Sequence, residues 1–385
     1  MPAERRVYLD NAASTPLSPE AFEAMRPYLL EQYGNPSSTH AHGRALRHAI
    51  EQSRRTIAQC LGASPSELVF TSGGTEADNI AILGTVQGLG IGHAISARTE
   101  HHAVLHPLEE LAAAGLLEVH WLDVDAQGHI DLVQLQDLLA RLPRCLVSLM
   151  YGNNETGTLH DVQQIGTLCR AHDAVFHSDT VQAMGHLPID LAQLPIDLLT
   201  ASAHKFYGPK GCGFLYVRKG LKLAHLMSGG GQERNLRPGT EYVPGIVGMA
   251  RALAHCYETL DTKNAHLRDL KQYMQAGLLA RFPGVVFNGD MTPEGSLPTV
   301  LNAALPGGED DCMLLFNLDL RGVSASGGSA CGAGALMGSH VLHAQGLPAG
   351  RIQHSIRFSF GVQNQREDID YALAQLQEIV PTPVI

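Results

Sequence analysis

Residues 200–213 read T-A-S-A-H-K-F-Y-G-P-K-G-C-G. An apolar run at 196–199 precedes them, and F-L-Y-V at 214–217 follows. Both flanks have the apolar, β-branched or aromatic composition of strands. Lys205 therefore sits in a small-residue, Gly-rich connection between two strands, with His204 beside it. A lysine in such a place can serve as a nucleophilic amine if its pKa is lowered, and the glycines let backbone approach a flat ligand closely. Taken alone, the same residues describe a solvated lysine at a turn equally well. The rest of the chain decides between the two.

Working outward, short apolar runs alternate with helical patterns. Strands are expected at 67–71, 94–97, 116–122, 145–150 and 175–177, and helices at 77–87, 104–113, 132–140 and 162–172. Ser18-Pro19-Glu20 opens an earlier helix, with Ser as cap and Pro in the first turn. Alternation of this kind predicts an α/β fold, with a mostly parallel sheet wrapped by helices. Ligands in such sheets collect at the carboxyl ends of the strands. The polar clusters S-G-G-T-E (72–76), E-H-H (100–102), N-N-E (153–155) and S-D-T-V-Q (178–182) all follow expected strands, so one crevice can gather them. One continuous helical pattern runs from 243 to about 282, long enough to join two domains. The tail, with expected strands at 285–288, 299–303, 323–325 and 356–359, predicts a smaller α+β domain.

Composition narrows the function classes. The 385 residues suggest two domains at about 100–200 residues each. A net charge of −11 gives no electrostatic footprint for nucleic acid or anionic membrane. The seven cysteines are scattered without C-x-x-C pairs, which excludes a zinc ribbon or disulfide framework and suits a reducing cytoplasm. Residues 1–10 lack the apolar region of a secretory signal, and no run is long enough to span a membrane. Neither His101-His102 nor His40-Ala41-His42 has a metal-ligand spacing, so no metal site is expected. There is no G-x-S-x-G.

One chemistry would use the polar clusters together. Pyridoxal phosphate needs a lysine for its aldehyde, a carboxylate for its pyridine nitrogen, a Gly-rich helix start for its phosphate and a flat group against its ring. Lys205, Asp179, Gly73-Gly74-Thr75 and His101 can fill those roles in that order. A second centre is residues 324–335, S-A-S-G-G-S-A-C-G-A-G-A, where small residues surround Cys331. Such a stretch buries little apolar area and is expected to be mobile. It can carry a thiol between a site and a partner, or be a linker with an incidental cysteine.

The chain resembles the cysteine desulfurases, pyridoxal phosphate enzymes of the class V aminotransferase superfamily with the type I fold. The resemblance rests on Y-L-D-N-A-A (8–13), N-P-S-S-T-H (35–40), T-S-G-G-T-E-A-D-N (71–79), E-H-H-A-V (100–104), N-N-E-T-G (153–157), H-S-D-T-V-Q (177–182), S-A-H-K (202–205), G-G-G-Q-E (229–233), G-S-A-C (328–331) and I-R-F-S (356–359). It implies a large cofactor-binding domain, 16–255, built on a mostly parallel seven-stranded sheet. It also implies a small domain of 1–15 plus 256–385 that carries a cysteine loop at about 324–338. Lys205 resembles the Schiff-base lysine, Asp179 the partner of the pyridinium and Gln182 the donor to the ring hydroxyl. His101 is similar to the ring-stacking histidine. Gly74, Thr75, Ser202 and His204 match the phosphate site, and Thr240 matches a phosphate ligand given across a homodimer interface. Asn154 and Arg357 resemble the substrate-carboxylate clamp, a task that suits a guanidinium fork. Cys331 matches the cysteine that becomes a persulfide.

The implied reaction converts L-cysteine to L-alanine and leaves sulfur on Cys331 for an acceptor protein, with iron–sulfur cluster assembly as the expected destination. Two alternatives stand beside it: a selenocysteine or cystine lyase on the same scaffold, and a non-catalytic sulfur-transfer scaffold. The sequence departs from the family pattern in three places. Gly74 stands where alanine is common and Pro238 where serine is common, and neither change removes a functional group. The stretch after Cys331, G-A-G-A-L-M-G-S-H-V-L, differs from housekeeping members and bears on the acceptor more than on the chemistry.

Overall fold

The first strand, β1 (Val7–Tyr8), belongs to the C-terminal part of the chain, not to the sheet that follows it in sequence. That sheet holds β2 (Leu68–Thr71), β3 (His93–Ala97), β4 (Glu118–Leu122), β5 (Leu146–Ser148), β6 (Val175–Asp179), β7 (Leu198–Ser202) and β8 (Gly213–Val217). The computed structural model describes residues 5–307, 313–327 and 338–380. The spatial order is β2-β8-β7-β6-β5-β3-β4. Every pairing is parallel except the two made by β8. The fold is therefore the expected α/β type with a mostly parallel seven-stranded sheet.

The reversed strand positions Lys205. Parallel neighbours need a long crossover, whereas an antiparallel neighbour can be reached by a short return. The chain turns from Ser202 to Gly213 directly, through a single 3-10 turn at Ala203–Lys205. At Gly213 an added Cβ would lie 2.5 Å from the Ala201 carbonyl oxygen and 2.8 Å from Gly73 Cα, so only glycine lets these backbones meet. β7 extends further than its apolar run, through Thr200, Ala201 and Ser202, because all of these are buried between β6 and β8. A central strand covered on both faces shows no alternation to mark its end.

Apolar layers cover both faces of the sheet. One contains Phe176, Leu199, Phe214, Met249 and Leu253. The other contains Ile80, Val104, Leu108, Val175 and Leu215. A separate core joins Leu267, Met274, Phe358 and Leu373. It lies around a three-stranded antiparallel sheet of β9 (Val286–Asn288), β10 (Val300–Ala304) and β12 (Ser355–Ser359), while β1 pairs with β11 (Val323–Ser324). Burying each such large side chain contributes about 1.5–3 kcal/mol.

The expected helical stretch over 243–282 is made of two helices, Val243–Glu258 and Leu260–Arg281. Thr259 leaves helical geometry (φ −113°, ψ 14°) and its hydroxyl donates to the His255 carbonyl at 2.8 Å. The first helix packs on the large sheet through Ile246 and Met249, the second on the small core through Leu267 and Met274. Helical periodicity continues through the break, so the pattern alone does not reveal it.

Candidate active site

A cavity of about 200 Å³ opens where β6 and β7 end. Asp179 is the last residue of β6, and Lys205 lies three residues past the end of β7. Both face this cavity, together with His101, Gln182 and Arg357. The Lys205 ammonium donates to the carbonyls of Ala12 (2.6 Å) and Ala13 (2.9 Å). Gln182 Nε2 donates to the same Ala12 carbonyl at 3.0 Å. The stretch between β1 and the first long helix thus gathers two of the expected cofactor groups.

Asp179 is buried, and one carboxylate oxygen accepts from Val181 N–H at 2.8 Å. Burial, reinforced by the neighbouring Asp78, pushes its carboxyl up to about 7. Asp78, on the helix Gly74–Leu89, also lines the cavity and is raised by burial to about 8. His177 lies 3.4 Å from Asp78 and is lowered by burial to about 4. Both members of that contact therefore favour their neutral forms near pH 7. His177 is held by Ser148 Oγ at 2.8 Å and Thr200 Oγ1 at 3.2 Å. A cation placed against Asp179 would offset the cost of its burial.

His101 caps the helix His102–Ala113, its Nδ1 accepting from Ala103 N–H at 3.1 Å. Burial, with Lys205 adding to it, lowers its pKa to about 4. The ring is neutral near pH 7, and because Nδ1 accepts, its proton resides on Nε2.

The helix Gly74–Leu89 begins at Gly73 with no side-chain cap. Its first-turn N–H groups and dipole form an anion cradle beside Thr75, Ser202 and His204, which line the same cavity. A Cβ on Gly74 would come within 2.9 Å of Val181 Cγ2, so the glycine keeps this end open. His204 is lowered to about 4 by burial and by Lys205, and its Nδ1 lies 3.2 Å from Ser14 Oγ.

Arg357 reaches the cavity from β12, an edge strand of the small sheet. Its Nη1 donates to the Asn154 carbonyl at 2.9 Å and its Nη2 to Asp10 Oδ1 at 2.8 Å. Asn154 also lines the cavity. Two expected residues are not among the groups brought together. Thr240 is exposed and does not line the cavity. Cys331 lies outside the described residues. The chain on either side of it is anchored at the site: Ser326 Oγ donates to Asp10 Oδ1 at 2.9 Å, and His340 Nε2 lies 2.9 Å from the Glu100 carbonyl. Sequence reasoning assigned no role to Asp10, Ala12 or Asp78, although all three fall in the quoted stretches 8–13 and 71–79.

Residues 7–372 match the model of the aminotransferase class-V family. The cysteine desulfurase IscS of Dictyoglomus turgidum is 43% identical over 379 residues, covering 98% of this chain and 95% of that protein. This chain belongs to the cysteine desulfurases of the class-V aminotransferase family. Among solved structures, a NifS-like protein superposes with a TM-score of 0.89 at 35% identity, covering 97% of this chain and 99% of its own. The structure of SspA in complex with cysteine superposes with a TM-score of 0.80 at 35% identity, covering 92% and 98%. Members of the family are pyridoxal phosphate enzymes. No helix among the described residues is long and apolar enough to cross a membrane.

Proposed function

We propose that this cysteine desulfurase holds pyridoxal 5′-phosphate in the cavity between β6, β7 and β12, and passes the sulfur of L-cysteine to Cys331. The observation that carries the reading is the convergence of Lys205, Asp179, His101 and Arg357 on one cavity. The residues fit the cofactor. Asp179 is a buried carboxyl facing that cavity, the helix start at Gly74 has no side-chain cap, and Lys205 supplies the amine for the aldehyde. Thr75, Ser202 and His204 would hold the phosphate, and Gln182 the ring hydroxyl. When bound, the cofactor supplies an electron sink for bonds at the substrate's α and β carbons.

The chain's own groups do the rest. Arg357, with Asn154, binds and orients the substrate carboxylate. Lys205 and His101 Nε2 hold and move protons at the substrate carbons. The Cys331 thiolate attacks the substrate sulfur, so an S–S bond forms as the Cβ–S bond breaks. The electron pair of that bond stays with carbon, which takes a proton and becomes the methyl group of alanine. Both sulfurs end in the persulfide, more oxidised than before, and the carbon is reduced by the same two electrons, so no outside oxidant is needed.

The working unit is a homodimer in which Thr240 serves the phosphate of the neighbouring subunit. Its exposure supports this, as do the exposed Leu30, Tyr33 and Tyr242. The sulfur leaves to an acceptor protein, with an iron–sulfur scaffold as the expected class, and the enzyme works in the cytoplasm. The test is cysteine turnover by wild type and Cys331→Ser, following alanine and sulfide with the visible spectrum on the same samples. A variant that keeps its colour and makes no alanine supports the reading. Continued alanine or pyruvate production overturns it.

A further inference from the structure

Among the described residues, three ligand-bearing side chains converge at the edge of the large sheet, away from the cavity: His93, Glu118 and His120. His93 is the first residue of β3, and its register partner on the parallel edge strand β4 is Glu118. His120 follows two positions along β4, and side chains two apart in a strand share a face. His93 Nδ1 lies 3.3 Å from His120 Nε2 and 3.5 Å from Glu118 Oε2, while His120 Nε2 lies 3.7 Å from Glu118 Oε1. Both imidazoles are partly buried, and Glu118 is exposed.

The two imidazole nitrogens stand at the separation of neighbouring ligands on a tetrahedral metal. One ligand atom from each of the three side chains lies within 4.8 Å of the others, close enough for a small adjustment of the exposed Glu118 to complete the set. Ligand atoms at about 2.0–2.1 Å from a tetrahedral Zn²⁺ stand about 3.3–3.4 Å apart. Two imidazoles and one carboxylate are the donors preferred by borderline first-row cations, and unlike the all-oxygen sets of Mg²⁺ or Ca²⁺. The donors are mounted on two hydrogen-bonded strands, so little chain ordering is needed to assemble them. We propose that His93, Glu118 and His120 form a binding site for a borderline divalent cation such as Zn²⁺, with its fourth position open to water.

The site lies at the amino end of the parallel strands, whereas Asp179 is at the carboxyl end of β6 and Lys205 lies past the carboxyl end of β7. It clamps the edge strand β4 to β3 and does not touch the reacting groups. No local motif could announce it, because its ligands come from two strands 25 residues apart.

The test uses the tag-free, cofactor-loaded full chain, stripped with chelator and dialysed against micromolar Zn²⁺, beside the double variant His93→Gln/His120→Gln. Glutamine keeps a polar side chain at both places, and an unchanged cofactor spectrum reports that the variant is folded. The wild type is expected to retain one more zinc per chain than the variant and to gain thermal stability on loading. Its Co²⁺ form should show d–d bands from this site without a thiolate charge-transfer band. Removing both imidazoles should weaken binding by more than the roughly 10–100-fold that loss of an outer-shell partner costs. Equal zinc content and equal thermal shifts in the two proteins would overturn the proposal, placing any bound zinc on thiols and leaving the three side chains as a hydrogen-bonded group.

Discussion

Arg357 and Asp10 form an ion pair at 2.8 Å beside the cavity, although 347 residues separate them. Asp10 fixes the guanidinium fork and also accepts from Ser326, five residues before Cys331. Asp10 therefore ties the described chain at Ser326 to the group proposed to bind the substrate carboxylate.

Arg357→Lys should raise KM for L-cysteine far more than it lowers kcat. A lysine keeps the charge but cannot bridge the Asn154 carbonyl, Asp10 and a substrate carboxylate with one planar fork. Loss of one charge-assisted hydrogen bond costs about 1.5–3 kcal/mol, or roughly 10–150-fold in affinity. Steady-state kinetics on cysteine check this. An unchanged KM would remove Arg357 from substrate binding.

Replacing Lys205 with alanine should lower alanine formation by about 10³-fold or more. Without the amine, the cofactor would be held by non-covalent contacts alone, from the phosphate cradle, Asp179 and Gln182. Gel filtration should then strip the visible absorbance from Lys205→Ala but not from wild type. A variant that keeps a covalent cofactor band would place the attachment at another lysine.

Glu233, the last residue of the G-G-G-Q-E stretch, pairs with Arg54 at 2.7 Å, and the side chains are only 3% and 4% exposed. The same carboxylate accepts from Phe70 N–H at 2.8 Å. Glu233→Ala leaves the buried Arg54 guanidinium with only the more exposed Glu51, 3.3 Å away, as counter-charge. The cost should therefore fall toward the low end of the roughly 3–5 kcal/mol that breaking a buried pair costs. The denaturation midpoint should fall accordingly, and a midpoint within error of wild type would contradict the pairing.

His186 is fully buried, with Nε2 3.2 Å from the Lys205 carbonyl, and burial lowers its pKa to about 3. The unfolded chain takes up this proton near pH 6.5, while the folded chain does so only near pH 3. Its contribution to stability is therefore complete above pH 6.5 and is lost progressively as pH falls toward 3. Between pH 6.5 and 4.5 wild type should lose about 2 kcal/mol that His186→Gln does not lose. Denaturant titrations of the two proteins at both pH values measure that difference. Parallel losses would show that His186 is not buried in its neutral form.

The sheet and the Lys205 turn were legible because strand and helix periods differ and because the polar clusters fall at strand ends. Lys205, Asp179 and His101 could be picked out because each follows a strand in a polar, small-residue or Gly-rich run. The break at Thr259 was hidden, since both helices keep the same period across it. Asp10, Ala12 and Asp78 carry no local signal of their roles. Two of them act through a carbonyl or an ion pair with residues far along the chain, and Asp78 acts through burial against His177 and Asp179. The zinc ligands are invisible for the same reason, because strand pairing and not spacing brings them together.

The most direct test of sulfur transfer is peptide mass mapping of the cofactor-loaded enzyme after one equivalent of L-cysteine, quenched with an alkylating agent. The expected result is one added sulfur atom on the peptide containing Cys331, in proportion to the alanine released. Alanine release with that peptide unmodified, or with the sulfur first on another cysteine such as the partly exposed Cys60, would contradict the account.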